Sequence, residues 1–210
     1  MLPRPLIIMV SDRRREPDRL LERVRIAARN GISIIQLRER ELNDADLLEL
    51  AKAVTTETAG TGASTVINDR LDIALAAGAD GVHLPASAPD CRRLRAAAPP
   101  GFLVGRSVHS IQEATAAEAE GGCDYLVFGT VFPSVSKPAD HAVAGVTALA
   151  EVCAAVMLPV VAIGGITVAH LPDVVRAGAA GIAAIDLFIT PHQQEMIQRL
   201  RELRLAFSAS

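Results

Sequence analysis

Amide, hydroxyl and cationic side chains recur directly after short apolar runs in this chain. Lys137 is one of only two lysines, although the chain has 21 basic residues, and it follows the run VFGTVFP together with two serines. Arginine, lysine and hydroxyl groups are strong donors to phosphate oxygens, so they indicate a phosphate or diphosphate site. The donors of this kind are Gln36, Arg38, Arg40, Ser134, Ser136 and Lys137.

An amide and a carboxylate follow another apolar run. Asn68 and Asp69 end the segment STVIND, and Asp69, helped by Asp72 or Asp90, is a candidate ligand for Mg²⁺. Mg²⁺ prefers one or two carboxylates together with phosphate oxygens. A diphosphate among Mg²⁺, arginine and lysine is a stabilised leaving group. The alternative is that Asn68 and Asp69 cap a helix over residues 70–77.

Strand-like and helix-like segments alternate along the whole chain. This alternation predicts right-handed β-α-β units and a parallel sheet. Eight units in 210 residues predict a single-domain (β/α)8 TIM barrel over residues 1–210, with an open doubly wound sheet as the rival. The predicted strands are residues 6–10, 33–38, 64–69, 81–84, 102–108, 125–131, 159–165 and 181–188, and clear helical patterns lie at 20–28, 45–55, 111–120 and 171–177.

The second predicted strand indicates where a site would lie. Ile32, Ile34, Gln36, Arg38 and Arg40 fall on one face of an alternating strand, and this face changes from apolar to polar toward its end. A barrel that binds an anion at the carboxyl ends of its strands needs this pattern. The alternative is an exposed strand end that carries structural ion pairs.

The composition excludes several classes of protein. Half of the residues are hydrophobic, aromatic residues make up 3%, and the net charge is −3 without a basic block, which excludes a nucleic-acid-binding protein held by phosphate contacts. No segment approaches the roughly 20 apolar residues of a membrane span, so we expect no membrane partner. Cys91, Cys123 and Cys153 are widely spaced and predict small buried side chains in a reducing compartment. We therefore expect a cytoplasmic protein.

Several motifs together resemble the thiamine phosphate synthase/TenI superfamily. The resemblance covers nearly the whole chain and implies a (β/α)8 barrel that is a homodimer. The synthase branch joins hydroxymethylpyrimidine diphosphate to thiazole phosphate with Mg²⁺ and releases diphosphate, whereas the TenI branch aromatises the thiazole phosphate by proton transfer. The motifs are QLRER (36–40), INDRLDIAL (67–75), GADGVHL (78–84), GRSVHS (105–110), DYLVFGTVFPSVSK (124–137), PVVAIGGI (159–166) and GAAGIAAI (178–185).

The resemblance also implies roles for individual residues. Arg38, Lys137 and Ser107 would be catalytic, with Ser107 on the pyrimidine side. Asp69 would bind Mg²⁺, and Asp90 is a candidate replacement for a second aspartate of the family. Substrate-binding roles fall on Gln36, Arg38, Arg40, Asn68, Thr130, Ser134, Ser136, Lys137, Gly164 and Gly165.

The chain departs from the family pattern at four places. Arg40 stands where the synthases have lysine, and Pro85 to Ala88 replace the segment that precedes the second Mg²⁺ aspartate. Thr130 occupies the position of the tautomerase histidine, and a hydroxyl does not transfer protons near neutral pH as imidazole does. Asp186 replaces a serine beside the phosphate, where a carboxylate repels the ligand.

Four functions therefore remain open from the sequence. Thiamine phosphate synthase is the leading hypothesis, because the diphosphate-binding donors are nearly complete. A TenI-type tautomerase, for which His83 or His109 would have to supply the base, is the second. A non-catalytic barrel that binds a thiazole or pyrimidine is the third, and a sugar-phosphate isomerase is the weakest. Phosphorylated small molecules are the expected partners in the leading case.

Overall fold

Eight short parallel strands pair in sequence order, and the last strand closes on the first. The computed structural model describes residues 2–15, 17–88, 90–134 and 142–208. Parallel pairing runs without interruption around the ring, from Ile8 beside Ile34 to Ile7 beside Ile182. The strands are β1 (Leu6–Val10), β2 (Ile34–Leu37), β3 (Ser64–Asn68), β4 (Gly81–Leu84), β5 (Leu103–Val108), β6 (Tyr125–Phe128), β7 (Val160–Ile163) and β8 (Gly181–Ala184).

A helix follows every strand, so the predicted (β/α)8 barrel is confirmed. Short 3-10 turns occur at Pro17–Arg19, Val168–His170 and Asp186–Phe188. The helices are α1 (Leu20–Arg29), α2 (Asp44–Thr58), α3 (Leu71–Ala76), α4 (Cys91–Ala97), α5 (Ile111–Glu120), α6 (Gly145–Ala155), α7 (Leu171–Arg176) and α8 (Gln193–Ser208). Among the described residues, no helix is long and apolar enough to cross a bilayer.

The apolar side chains form two layers, because neighbouring residues of a strand point to opposite sides of the barrel wall. On β1, Ile7 and Met9 pack outward against the helices, and Leu6, Ile8 and Val10 point into the barrel. The inner layer is completed by Ile34, Val66, Tyr125, Val127, Val161 and Ala183. It fills the lower part of the barrel, and the space above it opens toward the carboxyl ends of the strands.

The strands end earlier than the sequence predicts at the edge that carries the polar residues. The predicted strand 125–131 is regular only over Tyr125–Phe128, and the predicted strand 181–188 ends at Ala184 and continues as a 3-10 turn. The chain leaves the sheet at these points because each following segment must cross to a helix. Residues that follow these strand ends, and that the sequence assigns to strands, line the site described below.

Candidate active site

A cavity of about 320 Å³ opens at the carboxyl-terminal ends of the strands. Strand residues Val10 and Val127 form part of its floor, and Pro85 and Ile166 belong to the loops around it. This edge is where (β/α)8 barrels bind their ligands. The residues predicted from the sequence that line the cavity are Gln36, Arg38, Arg40, Asn68, Ser107, Thr130, Ser134, Gly164 and Gly165. Ser136 and Lys137 lie outside the described residues.

Two amides from neighbouring strands form one polar wall of the cavity. Gln36 at the end of β2 is buried, and its Nε2 donates to Oδ1 of Asn68 at the end of β3 at 3.2 Å. The two residues meet because β2 and β3 pair in parallel, with Leu37 beside Ile67. This bond uses one polar atom of each amide and leaves the Asn68 amide nitrogen to donate to a ligand.

Two arginines continue this wall toward solvent. Arg38 is half-buried and Arg40 is exposed, and both line the cavity. Burial, and after it the nearby charge of Arg40, lower the pKa of Arg38 from its usual value. Within the described ranges, neither guanidinium forms a hydrogen bond or a salt bridge with a protein group. Two neighbouring like charges, neither of them bonded to a carboxylate of the described residues, are a ready site for an anion.

The loop after β1 adds groups that the sequence analysis missed. Asp12 and Arg14 line the cavity, and Asp12 Oδ1 accepts from Arg14 Nε at 2.9 Å. The hydrogen bond from Arg14 lowers the pKa of Asp12, despite its partial burial. The signal was present in the sequence, since SDRRR follows the first strand directly.

Asp186, the carboxylate that the sequence marks as repulsive to phosphate, is ion-paired in the structure. Its Oδ1 contacts the Arg15 guanidinium of the loop after β1, and Asp186 itself lines the cavity. The two residues are 171 positions apart and become neighbours because β8 closes beside β1. Arg15 therefore offsets the charge of Asp186 at the cavity edge, and the expected repulsion of a phosphate is reduced.

A buried histidine contacts Ser107, the serine that the resemblance assigns to the pyrimidine side. His83 Nε2 lies 2.9 Å from Ser107 Oγ, and both residues line the cavity. The His83 ring is tilted against the ring of Tyr125, with 5.8 Å between the centroids. A Cβ on Gly105 would lie 2.5 Å from the Tyr125 hydroxyl and 2.6 Å from His83 Nδ1, so only glycine leaves room for both rings. In the described part of the chain, these two atoms have no hydrogen-bond partner.

The burial of His83 predicts a dependence of stability on pH. Desolvation lowers the pKa of His83 to about 4. The unfolded histidine takes up a proton below about pH 6.5, whereas the folded one stays neutral until about pH 4, so the unfolded state binds more protons in this window. We expect the contribution of His83 to stability to fall as the pH drops, with a limiting slope of about 1.4 kcal/mol per pH unit.

Denaturant unfolding of the wild type and of His83→Gln between pH 4 and pH 7 measures this contribution. Glutamine has no titrating group and keeps a polar side chain of similar reach. The difference in unfolding free energy between the two proteins should change across the window. A constant difference would show that His83 titrates alike in the folded and unfolded states.

A second histidine, His109, follows the end of β5 and also lines the cavity. His109 Nδ1 is 2.6 Å from the carbonyl oxygen of Gly129, and its backbone N–H donates to Glu113 Oε2 at 2.7 Å. A carbonyl oxygen only accepts, so Nδ1 carries the proton and Nε2 of the neutral ring is a free base. Gly129 directly precedes Thr130, so this imidazole is fixed to the chain beside the position where the tautomerases have their histidine.

The Gly164–Gly165 turn after β7 packs against the segment that leads to the serine loop. Val131 N–H donates to Ile163 O at 2.9 Å and Phe132 N–H to Gly164 O at 3.0 Å. A Cβ on Gly165, whose φ is +60°, would lie 2.1 Å from Pro133 O. The turn thus fixes the start of the loop that contains Ser134.

The residues that follow this loop bond to the same segment after β6. Ala144 N–H donates to Thr130 O at 2.8 Å and Gly145 N–H to Val131 O at 3.2 Å. Both described ends of the loop are therefore fixed at the end of β6. Its predicted diphosphate donors beyond Ser134 stay predictions.

The two candidate metal ligands do not line the cavity. Asp69 is exposed next to Asn68, and its carboxylate forms no salt bridge within the described ranges. Asp90 caps α4, and its Oδ1 accepts from Arg92 N at 2.6 Å. The alternative that Asn68 and Asp69 cap a helix is wrong, because the N-cap of α3 is Arg70.

The described residues contain no group of three or more histidine, cysteine, aspartate or glutamate side chains that could hold a metal ion. Mg²⁺ does not need such a group when substrate oxygens supply most of its ligands. Asp69 fits this requirement as an exposed carboxylate next to Asn68, which lines the cavity. Asp90 fits it less well, because one of its oxygens already caps a helix.

Comparison with known proteins gives concordant results. A sequence model described as thiamine monophosphate synthase matches residues 7–188. The chain is 47% identical over 165 residues to a thiamine-phosphate synthase of Methanoculleus marisnigri, which covers 79% of this chain and 78% of the relative. It is 41% identical over 199 residues to a putative thiamine-phosphate synthase of Geobacter sulfurreducens, covering 94% and 93%.

The fold comparison agrees with the sequence comparison. The structure of a thiamine phosphate pyrophosphorylase from Pyrococcus furiosus superposes with a TM-score of 0.84 at 32% identity. The alignment covers 98% of this chain and 96% of that one. The similarity therefore extends over the complete barrel, including every strand end that lines the cavity.

Proposed function

The chain belongs to the thiamine monophosphate synthase family, and on this premise we propose that it joins hydroxymethylpyrimidine diphosphate to thiazole phosphate and releases diphosphate. The observation that supports this most is the pair Arg38 and Arg40. The two guanidiniums lie at the mouth of the cavity without a carboxylate partner among the described residues. A diphosphate supplies the negative charge that such a pair lacks.

The chemical step is a displacement at the methylene carbon of the pyrimidine. The C–O bond to the diphosphate breaks, and its electron pair leaves with the diphosphate. The thiazole nitrogen then forms the new C–N bond. Arg38 and Arg40 act on the leaving group, because their positive charge stabilises the negative charge that develops on its oxygen. A half-buried arginine is effective here, since the interaction is screened less by water than at the surface.

Other residues orient the two substrates. Gln36 and Asn68 offer amide donors beside Arg38, and Ser107, held by His83, faces the pyrimidine side of the cavity. The Gly164–Gly165 turn presents backbone to the thiazole phosphate, since no Cβ intervenes. Orienting the two reactants accounts for much of the acceleration expected in such a reaction. Ser134, Ser136 and Lys137 complete the proposed diphosphate site.

Mg²⁺ is part of this proposal, with Asp69 as its protein ligand. Bound to the diphosphate, Mg²⁺ would neutralise part of the charge of the leaving group. We expect Asp69→Asn to raise the Mg²⁺ concentration at half-maximal activity by about tenfold or more, because a neutral amide is a weaker ligand for this ion. Titration of Mg²⁺ with each variant in the synthase assay measures this change.

Asp72→Asn is the matched control for this prediction. Asp72 is an exposed aspartate on the same loop-to-helix segment, but its carboxylate pairs with Arg70 at 2.7 Å. We expect its Mg²⁺ dependence to equal that of the wild type. Equal shifts in both variants would mean that the effect on Mg²⁺ is not specific to Asp69.

A direct assay tests the proposed function. The purified protein is incubated with hydroxymethylpyrimidine diphosphate, thiazole phosphate and Mg²⁺, and thiamine phosphate and diphosphate are quantified together. We expect equal amounts of both products and none when either substrate is omitted. Folded protein that forms no thiamine phosphate would refute the proposal.

A tautomerase activity is the second candidate, and His109 is the observation that favours it. Its Nδ1 contacts the carbonyl oxygen of Gly129, the residue before Thr130, which leaves Nε2 of the neutral ring unprotonated. Exchange of solvent deuterium into the thiazole precursor without any pyrimidine substrate would reveal this activity. The non-catalytic barrel loses part of its support, because Asp186 is paired with Arg15.

The assembly and location of the protein belong to the same proposal. We propose a homodimer, as the family resemblance implies, and a cytoplasmic location, as the composition and the cysteines predict. Light scattering during size-exclusion chromatography determines the mass in solution. A mass near the 22.1 kDa of one chain would contradict the dimer.

A further inference from the structure

Two cysteines outside the active site have their sulfur atoms in direct contact. Cys91 is the first residue of α4, and Cys123 lies in the turn between α5 and β6. The Cys123 thiol donates to Cys91 Sγ at a sulfur–sulfur distance of 2.8 Å, and both cysteines are free. A disulfide bond is about 2.05 Å long, so the two atoms need to approach by less than about 1 Å.

The backbone around the two sulfurs holds them at this distance. Gly122 packs on the start of α4, where a Cβ would lie 2.8 Å from the backbone nitrogen of Arg92. Arg92 Nε donates to Glu120 O at 2.8 Å, and Arg95 Nη2 donates to Gly122 O at 3.0 Å. Side chains of α4 thus bind the carbonyls on the N-terminal side of Cys123, and closure of a disulfide requires little change of the backbone.

The sulfur pair also lies next to a residue that holds an active-site loop. Arg106 Nη1 is 3.6 Å from Cys91 Sγ and 2.7 Å from Glu120 Oε2. Its Nη2 donates to the carbonyls of Ala86 and Ala88, each at 3.1 Å. Ala86 lines the cavity, so Arg106 connects the cysteine pair to the loop that follows β4.

We propose that Cys91 and Cys123 are a redox-active dithiol that closes to a disulfide when hydrogen peroxide oxidises the protein. Cys123 is partly exposed and Cys91 is buried, so peroxide reaches the pair from the Cys123 side. The disulfide locks the start of α4 to the turn before β6. This assignment does not depend on the proposed synthase activity.

The oxidation balances in two steps. One sulfur attacks a peroxide oxygen, the O–O bond breaks, and water leaves with the thiol proton, which places a hydroxyl on that sulfur. The second sulfur then attacks the sulfur that carries the hydroxyl, and the S–O bond breaks. A second water leaves with the second thiol proton. Two electrons and two protons pass from the thiols to one hydrogen peroxide, which becomes two molecules of water.

Cys153 provides an internal comparison within the same chain. Burial raises the pKa of the Cys153 thiol to about 11, whereas hydrogen bonds from Cys123 and Arg106 lower the pKa of Cys91, so Cys153 stays protonated and reacts more slowly than Cys91. Among the described residues, its sulfur has no second sulfur as a partner. Cys153 should therefore remain reduced under conditions that oxidise the pair.

The test uses the full chain treated with increasing hydrogen peroxide. Free thiols are counted after denaturation, the intact mass is measured, and disulfide-linked peptides are identified after digestion without reductant. We expect the wild type to lose two of its three thiols with a mass loss of about 2 Da, and dithiothreitol to restore both. The oxidised form should also melt several degrees higher, because the bond constrains the unfolded chain.

Three variants make the result decisive. Cys153→Ser should form the disulfide as the wild type does, and Cys123→Ser should form none and gain oxygen instead. Cys123→Ala provides a second form if the serine variant does not fold. The inference is overturned if the wild type keeps three thiols at peroxide levels that oxidise surface methionine, or if Cys153 oxidises as readily as the pair. It is also overturned if the linked peptides do not join Cys91 to Cys123.

Discussion

Replacement of Arg38 by methionine is expected to lower kcat/KM for the pyrimidine diphosphate by about 10²- to 10³-fold, a loss typical of one preorganised group at a developing negative charge. Arg38 is half-buried at the cavity mouth and has no carboxylate partner in the described part of the chain. Methionine retains much of the side-chain volume but cannot donate to the diphosphate. Steady-state kinetics at saturating Mg²⁺ and thiazole phosphate measure the effect.

Two controls separate charge, geometry and folding. Arg201→Met alters an exposed arginine on α8 that does not line the cavity, and it should leave kcat/KM unchanged. Arg38→Lys keeps the charge but loses the planar pair of donors, so it should fall between the wild type and the methionine variant. If Arg38→Met retained wild-type activity with an unchanged melting temperature, Arg38 would have no role at the leaving group.

The second large effect, a loss of unfolding free energy, is expected from Gly165→Ala. A Cβ at this position would lie 2.1 Å from Pro133 O and 2.7 Å from Phe132 O, and both contacts are with backbone. A φ of +60° adds about 1 to 2 kcal/mol for a residue with a side chain. We expect a total loss of about 3 kcal/mol or more in unfolding free energy, because backbone must move to remove the contacts.

The same substitution should impair the site at temperatures where the variant is folded. The turn fixes the segment before Ser134, and a displacement of about 1 Å can cost about 10²-fold in rate. Urea unfolding and kinetics with varied thiazole phosphate measure the two effects.

Gly60→Ala is the matched control for Gly165→Ala. Gly60 has a φ of +73°, and no atom lies within 4 Å of its ideal Cβ position. It therefore has the conformational cost without the steric cost, and we expect a loss of about 1 to 2 kcal/mol in unfolding free energy with normal activity. Equal losses in the two variants would show that the contact with Pro133 is not required.

The sequence was sufficient to predict the fold because the barrel repeats one simple pattern. Leu6 to Val10 and Tyr125 to Phe128 form strands. Gln36 on β2 lines the cavity as predicted, together with Arg38 and Arg40, although these two follow the end of the strand. The ends of the strands were predicted less well. Hydrophobicity continues beyond Phe128 and Ala184, whereas the backbone leaves the sheet there to reach the next helix.

The parts of the site that the sequence did not reveal depend on contacts between distant segments. The pairing of Asp186 with Arg15 exists only because β8 closes beside β1, so a carboxylate that looks repulsive in the sequence is paired in the fold. The same holds for Cys91 and Cys123, which meet across the α4–α5 region although their spacing indicates no pair. Roles for Ser136 and Lys137 stay predictions, since both lie outside the described residues.

A crystal structure of the protein soaked with Mg²⁺ and diphosphate tests the central claim most directly. We expect diphosphate in the cavity, within hydrogen-bond distance of the Arg38 guanidinium and one of the Gln36 and Asn68 amides. We also expect a Mg²⁺ ion between the diphosphate and the Asp69 carboxylate. Diphosphate bound away from Arg38, or a cavity that stays empty at millimolar diphosphate and Mg²⁺, would refute the proposed diphosphate site.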